Sequence, residues 1–168
     1  MTLTVKRFLD VIVNTSEIDV IKRMISRKEW SIHSSNEDFK SQFFMAQMTS
    51  VQTHNFLSKF SVFVKKYLIE NNINNEIDFE RAYINCHPAY HPGEWHVDNE
   101  SGITVLYYPD IGVNFGEEGG TDIKDHGYEL YIPNSLLIFP GNVEHMARQH
   151  TIVGTFRFSI AFKFIIKS

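Results

Sequence analysis

Residues 155–164 set the tightest limit on the architecture. Their side chains alternate: Phe158, Ile160, Phe162 and Phe164 fall on one face, and Arg157, Ser159, Ala161 and Lys163 on the other. An aromatic face of this size needs a covering layer. The opposite face opens with an arginine and continues with two small residues, which leave the space that a long guanidinium would use. A strand with two such unlike faces belongs between a packed core and a polar interior, as inside a barrel.

Strands and turns fill the rest of the second half. Residues 79–86 and 103–108 read as strands, the latter β-branched and aromatic and closed by Pro109-Asp110. Gly116-Glu117-Glu118-Gly119-Gly120-Thr121 is a glycine turn. Residues 128–132 and 136–139 are strands parted by Pro133-Asn134, and the turn Pro140-Gly141-Asn142 lifts the chain to His145. The first half has helical periodicity instead. Ser16 reads as an N-cap followed by Glu17 and Asp19, with Ile18, Ile21 and Ile25 at helical spacing. A second start at Asn36-Glu37-Asp38 leads into Phe39, Phe43 and Phe44, and Phe56, Phe60, Phe63, Val64 and Tyr67 form a longer apolar stripe ending near Asn71-Asn72. These stripes predict helices packed on the outer face of the sheet.

No repeat or Pro/Gly/Ser-rich linker divides the chain, and 168 residues with 43% hydrophobic content suffice for the core of a single domain. A net charge of −4 argues against a nucleic-acid partner. Cys86 is the only cysteine, which excludes an intramolecular disulfide, and Met1 to Arg7 lacks the apolar core of a signal peptide. No stretch is long enough to span a membrane. A reducing cytoplasm is therefore the expected compartment.

The chemistry concentrates in Trp95-His96-Val97-Asp98. In a strand His96 and Asp98 would project together, while Trp95 and Val97 would point the other way. His-x-Asp alone is weak, since a histidine beside a carboxylate is often only a hydrogen-bonded pair. With the distal His145 it makes two imidazoles and one carboxylate, the facial set of non-haem Fe(II) sites. Other polar groups compete less well. Cys86, His87 and His91 lie among prolines, without a second ligand pair, and read as a structural or substrate-facing loop. His126, Asp122 and Asp125 sit in an ordinary glycine-rich turn, and His33, His54 and His150 stand alone. Tyr90, Trp95 and Arg148 flank the expected mouth of the site.

The order of His96-Val97-Asp98, 104–108, Gly119-Gly120-Thr121, the run from Ile132 to Pro140 leading to His145, and Gly154-Thr155-Phe156-Arg157-Phe158-Ser159 resembles the 2-oxoglutarate- and Fe(II)-dependent oxygenases of the prolyl 4-hydroxylase type. The resemblance spans residues 79–166. It implies a mainly β fold with N-terminal helices: a double-stranded β-helix, the cupin-like jelly roll, in residues 76–168, buttressed by a mainly helical segment 1–75. It implies His96, Asp98 and His145 as iron ligands, 2-oxoglutarate and O2 as cosubstrates with ascorbate as a supporting reductant, and hydroxylation of a C–H bond with release of succinate and CO2. Arg157 would hold the distal carboxylate of 2-oxoglutarate, where many prolyl hydroxylases use lysine. Tyr83 would either contact the same cosubstrate or pack in the barrel. A peptidyl proline is the leading substrate, with a free amino acid or other small metabolite behind it, and the peptide-binding elements of the collagen-type enzymes have no recognisable counterpart. Two other readings stay open: a cupin-like metal enzyme that does not use 2-oxoglutarate, and a jelly-roll binding module without catalysis.

Overall fold

The computed structural model describes residues 4–34 and 42–167. Its elements are β1 (Lys6–Phe8), α1 (Thr15–Ser26), β2 (Ser31–Ser34), β3 (Gln42–Gln47), α2 (Ser50–Glu70), β4 (Ile77–Pro88), β5 (Gly102–Tyr108), β6 (Thr121–Ile123), β7 (Gly127–Glu129), β8 (Ser135–Pro140), β9 (His145–Ala147) and β10 (Phe156–Ile166). The alternating strand of the sequence, β10, occupies the centre of a seven-stranded sheet ordered β1-β8-β5-β10-β4-β3-β2, and a smaller sheet ordered β7-β6-β9 accompanies it. All ladders are antiparallel. The two sheets form a jelly roll.

Both faces of β10 are used as its alternation requires. Ile160, Phe162 and Phe164 join Ala82, Ile84, Val105 and Tyr107 in the core beneath the helices, with Phe158 packed at its edge. The helix α2 supplies Phe56, Phe60, Val64 and Tyr67 to this core. The Phe60 ring centroid lies 5.1 Å from Tyr107 and 5.8 Å from Phe162, in tilted and edge-on contacts of the kind aromatic rings favour. Buried Tyr67 sends its hydroxyl to the Thr4 carbonyl at 2.9 Å. On the other face, Leu106, Tyr108, Leu137, Phe139 and Ala161 of the large sheet cluster with Phe115, Ile123 and Tyr131.

The helix α2 starts with a capping box: Thr49 Oγ1 accepts from the Gln52 amide at 3.3 Å and Gln52 Oε1 accepts from the Thr49 amide at 3.1 Å. Thr49→Ala is expected to lower stability by about 1 kcal/mol, measured by urea unfolding. An unchanged midpoint would mean that water serves these amides equally well.

Several local expectations are corrected. The N-cap of α1 is Asn14, whose side chain accepts from the Ser16 amide and hydroxyl, so Ser16 lies inside the first turn. The proposed helix start at Asn36-Glu37-Asp38, with Phe39, falls outside the described residues, and Phe43 and Phe44 belong to the strand β3. Pairing with β4, in the register Phe44↔Cys86 and Met45↔Asn85, overrides the helical spacing. Among the described residues, the first 75 positions therefore contribute three strands as well as two helices. The strand expected at 128–132 ends at Glu129, after which Leu130 turns its carbonyl to Arg7 and Tyr131 sends its hydroxyl to the Pro109 carbonyl at 2.7 Å. No helix among the described residues is long and apolar enough to cross a membrane.

Candidate active site

A cavity of about 300 Å³ lies between the two sheets, and the polar face of β10 forms one wall. Facing it from the adjacent β4 are Arg81, Tyr83, Asn85 and His87, every second residue of that strand. His96, Asp98 and His145 close one end, and Arg157 lies deep in the wall.

His96, Asp98 and His145 bring one ligand atom each to within 4.8 Å of one another. The segment carrying the first two is not the strand expected from its sequence. Only His96 forms a β-bridge, to His145, with amide to carbonyl distances of 3.1 and 2.9 Å. Two residues later the chain is drawn off to the Gly141 carbonyl, which accepts from the Asp98 and Asn99 amides, so no continuous ladder forms. The juxtaposition rests on this bridge and turn.

The orientation of the two rings is fixed from outside. His96 Nδ1 lies 2.8 Å from the Glu94 carbonyl and His145 Nδ1 lies 3.0 Å from the Val143 carbonyl. A carbonyl oxygen only accepts, so each Nδ1 carries the proton, and in the neutral ring Nε2 presents a lone pair. Those Nε2 atoms point at the carboxylate: His96 is 3.8 Å from Asp98 Oδ1 and His145 is 3.3 Å from Asp98 Oδ2. Burial lowers the His145 pKa to about 4 against the opposing pull of Asp98, so this ring is neutral at physiological pH. Lone pairs from three groups then converge, an arrangement that a cation among them relieves. The residues present fit a divalent metal of the imidazole and carboxylate class.

Asp98 also accepts from Thr104 Oγ1 and Lys163 Nζ at Oδ2. Burial by itself would raise the Asp98 carboxyl, but the Lys163 ammonium, His145 and these two hydrogen bonds outweigh it and hold the group below its ordinary value.

Arg157 is 1% exposed, and its bonds go to neutral oxygens: the Gly119 carbonyl, the Gly120 carbonyl and Thr121 Oγ1 at 3.2 Å, and Ser159 Oγ at 3.3 Å. Four of its five N–H groups are thus used, and none meets a carboxylate among the described residues. Thr121 is itself tied to the Tyr108 hydroxyl at 2.6 Å. Gly120 is required here, because a Cβ would fall 2.1 Å from the Glu129 carbonyl. A buried guanidinium without an acid is costly unless an anion joins it.

Opposite Arg157 in the β4–β10 ladder stands His87, buried and stacked on Phe43 with ring centroids 5.0 Å apart. His87 Nδ1 and Asn85 Oδ1 have no hydrogen-bond partner among the described residues. His87, expected in a structural or substrate-facing loop, instead lies within β4, and Asn85 alternates with Arg81 and Tyr83 along the same strand. Tyr83 lines the cavity, with its ring 5.7 Å from the Lys163 ammonium, and burial pushes its hydroxyl pKa upward.

The other candidates lie elsewhere. Cys86 is buried on the opposite side of β4, facing away from the cavity wall formed by Asn85 and His87. Arg148 is not at the mouth: it pairs with Asp122 and lies 3.8 Å over the Tyr128 ring. His126 bonds Glu129 at 2.8 Å, so Asp122, Asp125 and His126 form no ligand cluster. His150 is fully buried with Nε2 near the His87 carbonyl, His54 is exposed, and the side chain of His33 lies outside the described residues.

Burial and the neighbouring Arg157 lower the His87 pKa to about 3, with His91 and His150 the other titratable groups around it. From the ordinary value near 6.5 down to about 3 the unfolded chain takes up a proton here that the folded one refuses. Stability from this group is complete above about pH 6.5 and is lost as pH falls through that window. His87→Gln is expected to flatten the acid limb by up to about 1.4 kcal/mol per pH unit, read from urea unfolding between pH 7 and 4. Parallel limbs would exclude a buried neutral His87.

No family model matches the sequence, and comparison with curated proteins finds no match. Solved structures match throughout. A prolyl-4-hydroxylase of Pseudomonas putida superposes with a TM-score of 0.70 at 12% identity, over 97% of this chain and 92% of that one. The fold is that of the 2-oxoglutarate- and Fe(II)-dependent oxygenases. A prolyl hydroxylase of Trichoplax adhaerens, solved with a peptide of hypoxia inducible factor, gives 0.70 at 15% identity over 98% of this chain and 84% of that one. HygX of Streptomyces hygroscopicus, solved with nickel and 2-oxoglutarate, gives 0.67 at 10% identity over 99% and 84%. The shared fold thus covers nearly all of this chain.

Proposed function

We propose that this protein is an Fe(II)- and 2-oxoglutarate-dependent oxygenase that hydroxylates a C–H bond, with a peptidyl proline as substrate. One observation carries the reading: two imidazoles with their Nε2 atoms turned onto Asp98 share a cavity with a buried guanidinium that has no acidic partner among the described residues. His96, Asp98 and His145 would hold the metal, and Arg157 would bind the distal carboxylate of the 2-oxo acid. When bound, iron and 2-oxoglutarate supply O2-dependent hydroxylation coupled to release of succinate and CO2.

The chain's own residues do the positioning. Val143 and Glu94 fix the imidazole tautomers through their carbonyls, and Thr121 and Ser159 hold the guanidinium in the wall. His87 and Asn85 offer unpaired polar atoms across from Arg157, and Tyr83 borders the same space nearer the metal end. His96 remains half exposed, so a substrate has access from that side. Arg157 disfavours a cupin-like enzyme without 2-oxoglutarate, because such an enzyme has no use for a buried anion anchor.

The test is succinate formation from 2-oxoglutarate with Fe(II), screened against proline-containing peptides and free amino acids. Peptide-stimulated turnover with a hydroxyproline product is expected. Stimulation by free amino acids only would replace the peptide substrate with a small metabolite, and absence of succinate under all conditions would overturn the oxygenase reading.

A further inference from the structure

Lys163 is 1% exposed, and its ammonium lies against the carboxylate of Asp98, 65 residues away in sequence. The contact is built into the sheet. Lys163 on β10 and Thr104 on β5 are register partners, and both donate to the same oxygen, Asp98 Oδ2. The Tyr83 ring lies 5.7 Å from the ammonium on another side. Oδ1 is left facing His96. Lys163 also stands on the cavity wall, with its ammonium turned onto Asp98.

We infer that Lys163 is a positioning residue that holds Asp98 by one oxygen and, through the ion pair it makes there, makes metal binding depend on the dianionic 2-oxo acid. The inference rests on the function proposed above. A divalent ion entering the triad meets a carboxylate already neutralised by an ammonium, so its electrostatic gain is reduced. A 2-oxo diacid brings two negative charges against Arg157 and Lys163 and restores that gain. Coupling of this kind is reciprocal, so metal must tighten the diacid by the same factor.

The experiment is titration of the metal-free protein with Mn(II), followed by the spectrum of the free ion, with and without saturating 2-oxoglutarate. Wild type, Lys163→Met, Lys163→Gln and His145→Ala are compared, with thermal melting to verify folding. Wild type is expected to bind Mn(II) weakly alone and at least tenfold more tightly with 2-oxoglutarate. Both Lys163 variants are expected to bind Mn(II) alone at least tenfold more tightly than wild type, with a smaller gain from 2-oxoglutarate. Lys163→Gln keeps a donor for Oδ2 while removing the charge, so it separates charge from orientation and serves where the methionine variant fails to fold. Folded variants with wild-type affinity and wild-type gain, or with weakened binding, overturn the inference while leaving the function intact. Undiminished Mn(II) binding in His145→Ala, or none in wild type, overturns the metal site itself and this inference with it.

Discussion

Alanine at His145 is expected to abolish succinate release while the protein remains folded. The ring is buried, packs 4.7 Å from Phe139 and is held by the Val143 carbonyl, so no other group can take its place at the triad. The backbone bridge to His96 does not need the side chain and should survive. With one of the three converging groups gone, the set no longer encloses one side of a cation. His96→Ala and Asp98→Ala should behave alike, and Asp98→Ala additionally strands the buried Lys163, so its melting temperature should fall the most. Turnover near the parent level in folded Asp98→Ala would sink the assignment.

Arg157→Gln is expected to raise the 2-oxoglutarate requirement at least tenfold, and toward a hundredfold, while metal affinity without cosubstrate is preserved. Hydrogen bonds to charged groups contribute about 1.5–3 kcal/mol each, and about 1.4 kcal/mol corresponds to one decade in affinity. Glutamine keeps a donor but loses the charge and the planar fork. Arg157→Lys should fall between, because charge survives without the fork. The measurement is the 2-oxoglutarate concentration dependence of succinate formation, beside Mn(II) binding. Parent-like dependence in Arg157→Gln would place the anchor elsewhere on the cavity wall.

Much of this was legible because two-residue periodicity survives translation into structure. The unlike faces of β10 had one solution, and the sheet realises it, with Phe162 under α2 and Arg157 in the cavity. The α2 stripe was equally plain, since Phe56, Phe60, Val64 and Tyr67 are a helical repeat and pack as one. His96, Asp98 and His145 were legible as a set, but for a reason only partly right. They meet through one bridge and the Gly141 turn rather than along a strand, with the Gly93 amide donating to the Ala147 carbonyl just upstream. β3 was illegible, because Phe43 and Phe44 suit either period and only the ladder to β4 decides between them. The Lys163 to Asp98 contact joins residues far apart in sequence, and local pattern carries no trace of such a pair.

The bridge between His96 and His145 also ties the site to the motions of the backbone. The two amides that hold the bridge together are those of His96 and His145 themselves, so any opening that lets solvent deuterium reach them also parts the imidazoles. Their exchange rates therefore serve as a clock for how often the assembled triad comes apart, and an ion that grips both rings must slow that clock at both positions together.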